Sequence, residues 1–127
     1  MRGGIIMKIQ ESAENYLETI LMLGQKNGNV RSIDIAHELE FKKPSVSVAM
    51  KNLRENGYVK VDDNGFITLT DSGRKIAETM YERHLLLSHW LMELGVDEKT
   101  AVEDACKMEH VISKESFEAI KKHLNKV

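Results

Sequence analysis

The stretch Lys43–Thr70, "KPSVSVAMKNLRENGYVKVDDNGFITLT", holds the only proline of the chain, an apolar stripe at helical spacing, and an Asn-Gly pair between two β-prone runs. Pro44 suits the first turn of a helix, because the N–H it lacks would have no intrahelical partner there. Val46, Ala49, Met50 and Leu53 then recur at helical spacing, and Gly57 ends the helix after Arg54, Glu55 and Asn56. The opposite face carries Ser45, Ser47, Val48, Lys51 and Asn52 and is mostly polar and mildly basic. Tyr58–Val61 and Phe66–Thr70 read as two short strands. Asn64 and Gly65 between them are a strong hairpin signal, since both residue types tolerate the positive φ that tight hairpin turns demand.

Toward the N-terminus, the run from Glu11 to Lys26 sets Ala13, Tyr16, Leu17, Ile20, Leu21 and Leu23 at helical spacing, and "NGN" at 27–29 closes it. Ser32 reads as the N-cap of a short helix with Asp34 in its first turn, and "EFKK" breaks that helix. Toward the C-terminus, Thr70 caps a long helix through "DSGRKIAETMYERHLLLSHWLMEL" that Gly95 closes. A further helix spans about Glu98 to Ile112, and Ser113 caps a last one. The fold class expected is mainly α with a small β-hairpin: a winged helix-turn-helix over residues 1–70, then a helical dimerisation domain over 71–127.

The totals fit this reading. A chain of 127 residues can bury the core of one domain, or of a small domain with an oligomerising arm. A single cysteine excludes an intrachain disulfide framework and suits a reducing, cytoplasmic setting. The longest apolar stretch, His84–Val96, is interrupted by Ser88, His89 and Glu93, so no membrane span is expected. The opening "MRGGIIMK" is too short for a secretory signal; Met7 reads as an alternative start, with the first few residues loosely ordered.

A formal net charge of -2 argues against a protein that coats nucleic acid nonspecifically, but the charges are unevenly placed. Lys42, Lys43, Lys51, Arg54 and Lys60 face Glu55 alone between positions 42 and 60. In a winged helix the third helix enters the major groove by its N-terminal end and the hairpin reaches flanking backbone. Lys42, Lys43 and Lys51 then suit phosphate, and Pro44 starts the reading helix. Ser45 and Ser47 can bond phosphate or base edges, Val48 can touch a thymine methyl, and Lys60 belongs to the wing. Each of these residues alone is equally an ordinary solvated helix face; their combination with the fold order favours double-stranded DNA over a protein-docking module.

Three further helices follow the wing. The long one carries Ile76, Ala77, Met80, Tyr81, Leu85, Leu86, Leu87, Trp90, Leu91 and Leu94, more apolar surface than one side of a small domain covers. A homodimer explains this, since paired reading helices then fall in successive major grooves about 34 Å apart. Completion of a monomer core is the competing explanation.

In "EDACKMEHVIS", Glu103–Ser113, helical spacing brings Cys106, Glu109 and His110 onto one face, so a thiolate, a carboxylate and an imidazole can converge. Those are donor types for divalent transition metals. The apolar stripe Ala101, Ala105, Met108 and Ile112 lies nearby, which places the three at a buried edge. A lone helical cysteine is more commonly a small core residue, and Glu109 and His110 have an exposed alternative. A Cys-His nucleophilic pair lacks an oxyanion-hole glycine turn and a third orienting group, so neither an enzyme nor a small-molecule substrate is expected.

At this point nearly the whole chain resembles a known family. "AENYLETILML", "KKPSVSVAMKNLRENGYV", "NGFITLTDSGRKIA", "RHLLLSHWL" and "EDACKMEHVIS", in that order, are similar to the diphtheria-toxin-repressor and manganese-transport-regulator family of metal-activated repressors. The chain is similar to the shorter, manganese-type members, which lack an SH3-like third domain. The resemblance implies a metal site of Glu18, His84, Cys106, Glu109 and His110. Asn15 stands where the manganese branch has aspartate and the iron branch methionine, so it is either a weak neutral donor or no ligand. Cys106 matches the iron branch at a position where the manganese branch has glutamate. Ser88 and Val102 replace the carboxylate and histidine that the iron branch's ancillary site would want.

A thiolate favours Fe(II), Co(II), Ni(II) or Zn(II) over the harder Mn(II), although cellular availability often decides which ion is loaded. Iron is therefore the first expectation and manganese the second. The mechanism implied is a population shift in which metal favours the operator-binding arrangement of the dimer, and by resemblance the controlled genes are those for uptake of that metal. The alternative is a winged-helix regulator answering to another ligand or to thiol oxidation at Cys106.

Overall fold

The computed structural model describes residues 2–125, with side chains from residue 10 onward. Met1 and the side chains before residue 10 lie outside those described; the backbone is helical from Arg2, so the first helix starts before the expected Glu11 and the first few residues are not the loose segment expected. The elements are α1 (Arg2–Asn27), α2 (Ser32–Leu39), α3 (Lys43–Glu55), β1 (Val59–Val61), β2 (Ile67–Leu69), α4 (Asp71–Glu93), α5 (Glu98–Val111) and α6 (Lys114–Asn125). This is the mainly helical class with one hairpin that the sequence predicts. The chain forms two compact units that divide after Glu78, inside α4. No helix among the described residues is long and apolar enough to cross a membrane.

In the first unit, Leu17, Ile20 and Leu21 of α1, Ile35 of α2, and Val46, Met50 and Leu53 of α3 are all buried. Tyr16 and Phe41 meet edge to face, with ring centres 5.9 Å apart. The α2–α3 turn passes through Glu40 at φ 57°, the only non-glycine with positive φ among the described residues. The N-cap of α2 is Arg31, one residue before the expected Ser32; its backbone N–H donates to the Asp34 carboxylate at 2.9 Å. A carboxylate in the first turn thus satisfies the helix entrance, and Ser32 becomes the first helical residue.

Val59 pairs with Leu69, Lys60 with Thr68 and Val61 with Ile67 in the antiparallel hairpin. Val59 and Ile67 are buried while Lys60 and Thr68 are exposed, the alternation expected of a half-covered ribbon. The hairpin turn differs from the Asn-Gly expectation, because Gly65 alone has positive φ, at 82°. The Asp62 carboxylate accepts from the backbone N–H groups of Asn64 and Phe66, both at 2.9 Å. That side chain organises a longer turn closed by one left-handed residue, so Asn64 is not forced into that region. The Ile67 N–H also donates to the Val30 carbonyl at 2.7 Å, tying the wing to the segment before α2.

Thr70 caps α4 as expected, its hydroxyl accepting from the Gly73 N–H at 3.2 Å. In the second unit, Leu87, Ala105 and Phe117 bring α4, α5 and α6 together, with Leu86, Trp90, Met108 and Ile112 packed around them. Gly95 at φ 101° ends α4. Asp97 caps α5 by accepting from the Thr100 N–H at 3.0 Å, and the Ser113 hydroxyl accepts from the Ser116 N–H at 3.1 Å to open α6.

Candidate metal centre and DNA-facing helix

The last turns of α5 carry the donors. Glu109 is fully buried, while Cys106 is half-buried. Ligand atoms of Cys106, Glu109 and His110 lie within 4.8 Å of one another. From α4, His84 Nδ1 approaches Glu109 Oε2 at 3.3 Å, and His110 Nε2 approaches Oε1 of the same carboxylate at 3.3 Å. The His84 and His110 side chains are only 15% and 8% exposed. Burial thus decides one question open in the sequence: Glu109 is no solvated helix residue.

A buried carboxylate is costly unless charge or hydrogen bonds compensate it. Atoms bound to one first-row ion at about 2.0–2.2 Å stand about 3–3.5 Å from each other. Each imidazole nitrogen stands at such a spacing from one oxygen of Glu109, His84 from Oε2 and His110 from Oε1, and the thiol beside Glu109 and His110 adds a soft donor. These residues fit a divalent transition ion, which would supply positive charge to a buried carboxylate. Arg83, beside His84, was not singled out from the sequence. Its Nη1 donates to the backbone carbonyls of Glu109 and Ile112, each at 3.0 Å.

Asn15 and Glu18 stand on α1, in the first unit. Glu18 is buried and Asn15 half-buried, and the Asn15 carbonyl accepts from the Thr19 hydroxyl at 2.8 Å. Ser88 is buried with its hydroxyl donated to the Leu85 carbonyl at 3.2 Å, and Val102 is exposed on α5.

On α3, Lys43, Pro44, Ser45, Ser47, Val48 and Lys51 are exposed, as are Lys42 at its N-cap and Lys60 on the hairpin. Val46, Met50 and Leu53 face inward. Val48 is 60% exposed, an apolar side chain on a polar face. The sequence reading of which face is free is therefore correct at every residue named for it.

A winged helix followed by a helical unit with converging thiol, carboxylate and imidazole donors is the build of a metal-responsive DNA-binding regulator. The family model described as "Iron dependent repressor, N-terminal DNA binding domain" matches residues 8–65, and "Iron dependent repressor, metal binding and dimerisation domain" matches residues 70–127. An uncharacterized HTH-type transcriptional regulator of Methanocaldococcus jannaschii is 37% identical over 93% of this chain and 96% of its own. The HTH-type transcriptional regulator MntR of Bacillus subtilis is 34% identical over 86% of this chain and 77% of its own. Among solved structures, a manganese-dependent transcriptional repressor in complex with manganese superposes with a TM-score of 0.79 at 32% identity, over 89% of this chain and 52% of the other. The manganese regulator SloR gives a TM-score of 0.79 at 29% identity. The chain spans about half the length of these two solved chains, 52% and 53%.

The chain belongs to the iron-dependent repressor family, that of the diphtheria-toxin repressor and the manganese-transport regulators. It is thus a member of a family of metal-dependent transcriptional repressors.

Proposed function

We propose that this protein is a metal-activated repressor that binds operator DNA in the cytoplasm as a homodimer. The observation that carries the reading is that Cys106 and His110 gather beside the fully buried carboxylate of Glu109, which His84 of α4 also approaches at 3.3 Å. Residues 1–70 serve DNA through Lys42, Lys43, Pro44, Ser45, Ser47, Val48, Lys51 and Lys60. Residues 71–127 bind metal and pair the subunits. Glu18 is the further carboxylate donor and Asn15 at most a weak one; this part rests on the sequence resemblance and on the donor count, since metal ions of this class take four to six ligands. The Cys106 thiolate favours Fe(II), with Mn(II) the second candidate and Co(II), Ni(II) and Zn(II) able to substitute in vitro. Bound metal shifts the dimer toward its DNA-competent arrangement by differential affinity, and the genes controlled are those for uptake of the same ion.

The test is binding to DNA selected from a random pool, in anaerobic buffer, titrated separately with Fe(II), Mn(II), Zn(II) and chelator. Metal should tighten binding by about 5–150-fold, the usual range of allosteric coupling. Cys106→Ala, Glu109→Ala and His110→Ala should each remove that gain while leaving a folded dimer. If all three variants respond to metal as the parent does, the proposal is wrong.

A further inference from the structure

We infer that Arg83 is a positioning residue of the metal centre. The last carbonyls of an α-helix lack intrahelical partners, and its final turn frays unless something caps it. Glu109 and His110 sit on that final turn, because α5 ends at Val111. A ligand set mounted on a fraying turn is poorly ordered before an ion arrives. Arg83 counters this directly. One nitrogen, Nη1, spans the helix end by donating to the carbonyls of Glu109 and Ile112, both at 3.0 Å.

The guanidinium is itself held. Its carbon lies 5.4 Å from the centre of the Phe117 ring, a cation–π contact with α6, and Phe117 is buried in the core shared by the three helices. A positive charge also suits the negative end of the α5 dipole. Arg83 precedes His84, so the same point of α4 that offers an imidazole to the site fixes the helix end that offers Glu109 and His110. The bonds of Arg83 to α5 go to backbone carbonyls, so it acts on the turn that carries the ligands. A lysine is one atom shorter and cannot bridge both carbonyls from the same position on α4.

The inference rests on the proposal that Cys106, Glu109 and His110 hold an ion, and its test separates the two. Co(II) is titrated anaerobically by calorimetry into the full chain as parent, Arg83→Met and Arg83→Lys. The metal-free proteins are compared by thermal melting and by amide hydrogen exchange. Methionine keeps an apolar stem against Phe117 and removes the donors. Arg83→Met should bind Co(II) about 10–100-fold more weakly, the range found when outer-shell partners are lost, and Arg83→Lys should fall between it and the parent. Amides near the end of α5 should exchange faster in metal-free Arg83→Met than in the parent, with the rest of the unit unchanged.

Parent-like affinity and exchange in Arg83→Met would overturn the positioning role while leaving the metal centre intact. So would a loss matched by Phe117→Leu at an equal drop in melting temperature, which would make Arg83 merely structural. If Arg83→Met yields no folded dimer, parent-like affinity in Arg83→Lys overturns the role by itself. A parent that takes up no Co(II) would overturn the metal reading first.

Discussion

A Cβ placed on Gly73 would run into the carbonyl oxygen of Tyr58, which leaves glycine as the side chain that fits at the start of α4. Thr70 and Ser72 donate their hydroxyls to the Gly57 carbonyl at 2.7 and 3.2 Å, so the helix start is held against the α3–β1 turn. Neither backbone segment can yield without breaking these bonds. Gly73→Ala should therefore lower stability by about 1–3 kcal/mol, as overpacking does, seen as a lower urea midpoint at unchanged slope. A parent-like midpoint would show that the turn gives way freely. The contrast between Cys106 and Arg83 is instructive at this scale. Cys106, Glu109 and His110 are legible as a group because helical spacing alone aligns them. Arg83 is not, because its partners lie 26 and 29 residues away.

The caps decide more than the propensities at the level of single elements. α5 begins at Asp97, whose carboxyl is held below its usual pKa by the backbone and side chain of Thr100. A lowered folded-state pKa favours the folded state while the group is ionised, at pH above its unfolded value near 3.9. The contribution is lost as pH falls through the folded value. Asp97→Asn keeps a capping oxygen but cannot titrate. The gap in melting temperature between parent and Asp97→Asn should therefore narrow as pH falls from 7 to 3; a constant gap would exclude this source of pH dependence. Thr70, Ser113 and Gly95 are readable as caps from residue type and position. Arg31 and the Asp62-organised wing turn are not, since a neighbouring carboxylate takes over the backbone donors in each case.

For the whole molecule, the uncovered apolar surface of the second unit matters most. Leu85 and Leu94 are 38% and 66% exposed, and both line a groove of about 900 Å³ together with Leu86 and Trp90. Exposed leucines lining a groove suit an interface, and the proposed homodimer is the occupant that the DNA geometry asks for. Leu94→Lys should shift the protein toward monomer in sedimentation equilibrium and weaken DNA binding at least about tenfold, the usual cost being about 1.4 kcal/mol or more. Co(II) uptake at the α5 donors should persist. A Leu94→Lys protein that remains a tight dimer would place the interface elsewhere.

Sequence by itself determined the elements, their order, the free face of α3 and the alignment of Cys106 with Glu109 and His110. These are short-range properties: periodicity, capping chemistry and turn residues act within a few positions of one another. Only the tertiary structure decided that Glu109 is fully buried, that His84 on another helix meets it at 3.3 Å, and that Arg83 clamps the turn on which it stands. Burial and contact between distant segments depend on how α4, α5 and α6 pack around Leu87, Ala105 and Phe117. No local pattern encodes that packing, because each helix's apolar stripe specifies that it must be covered and leaves open which residues cover it.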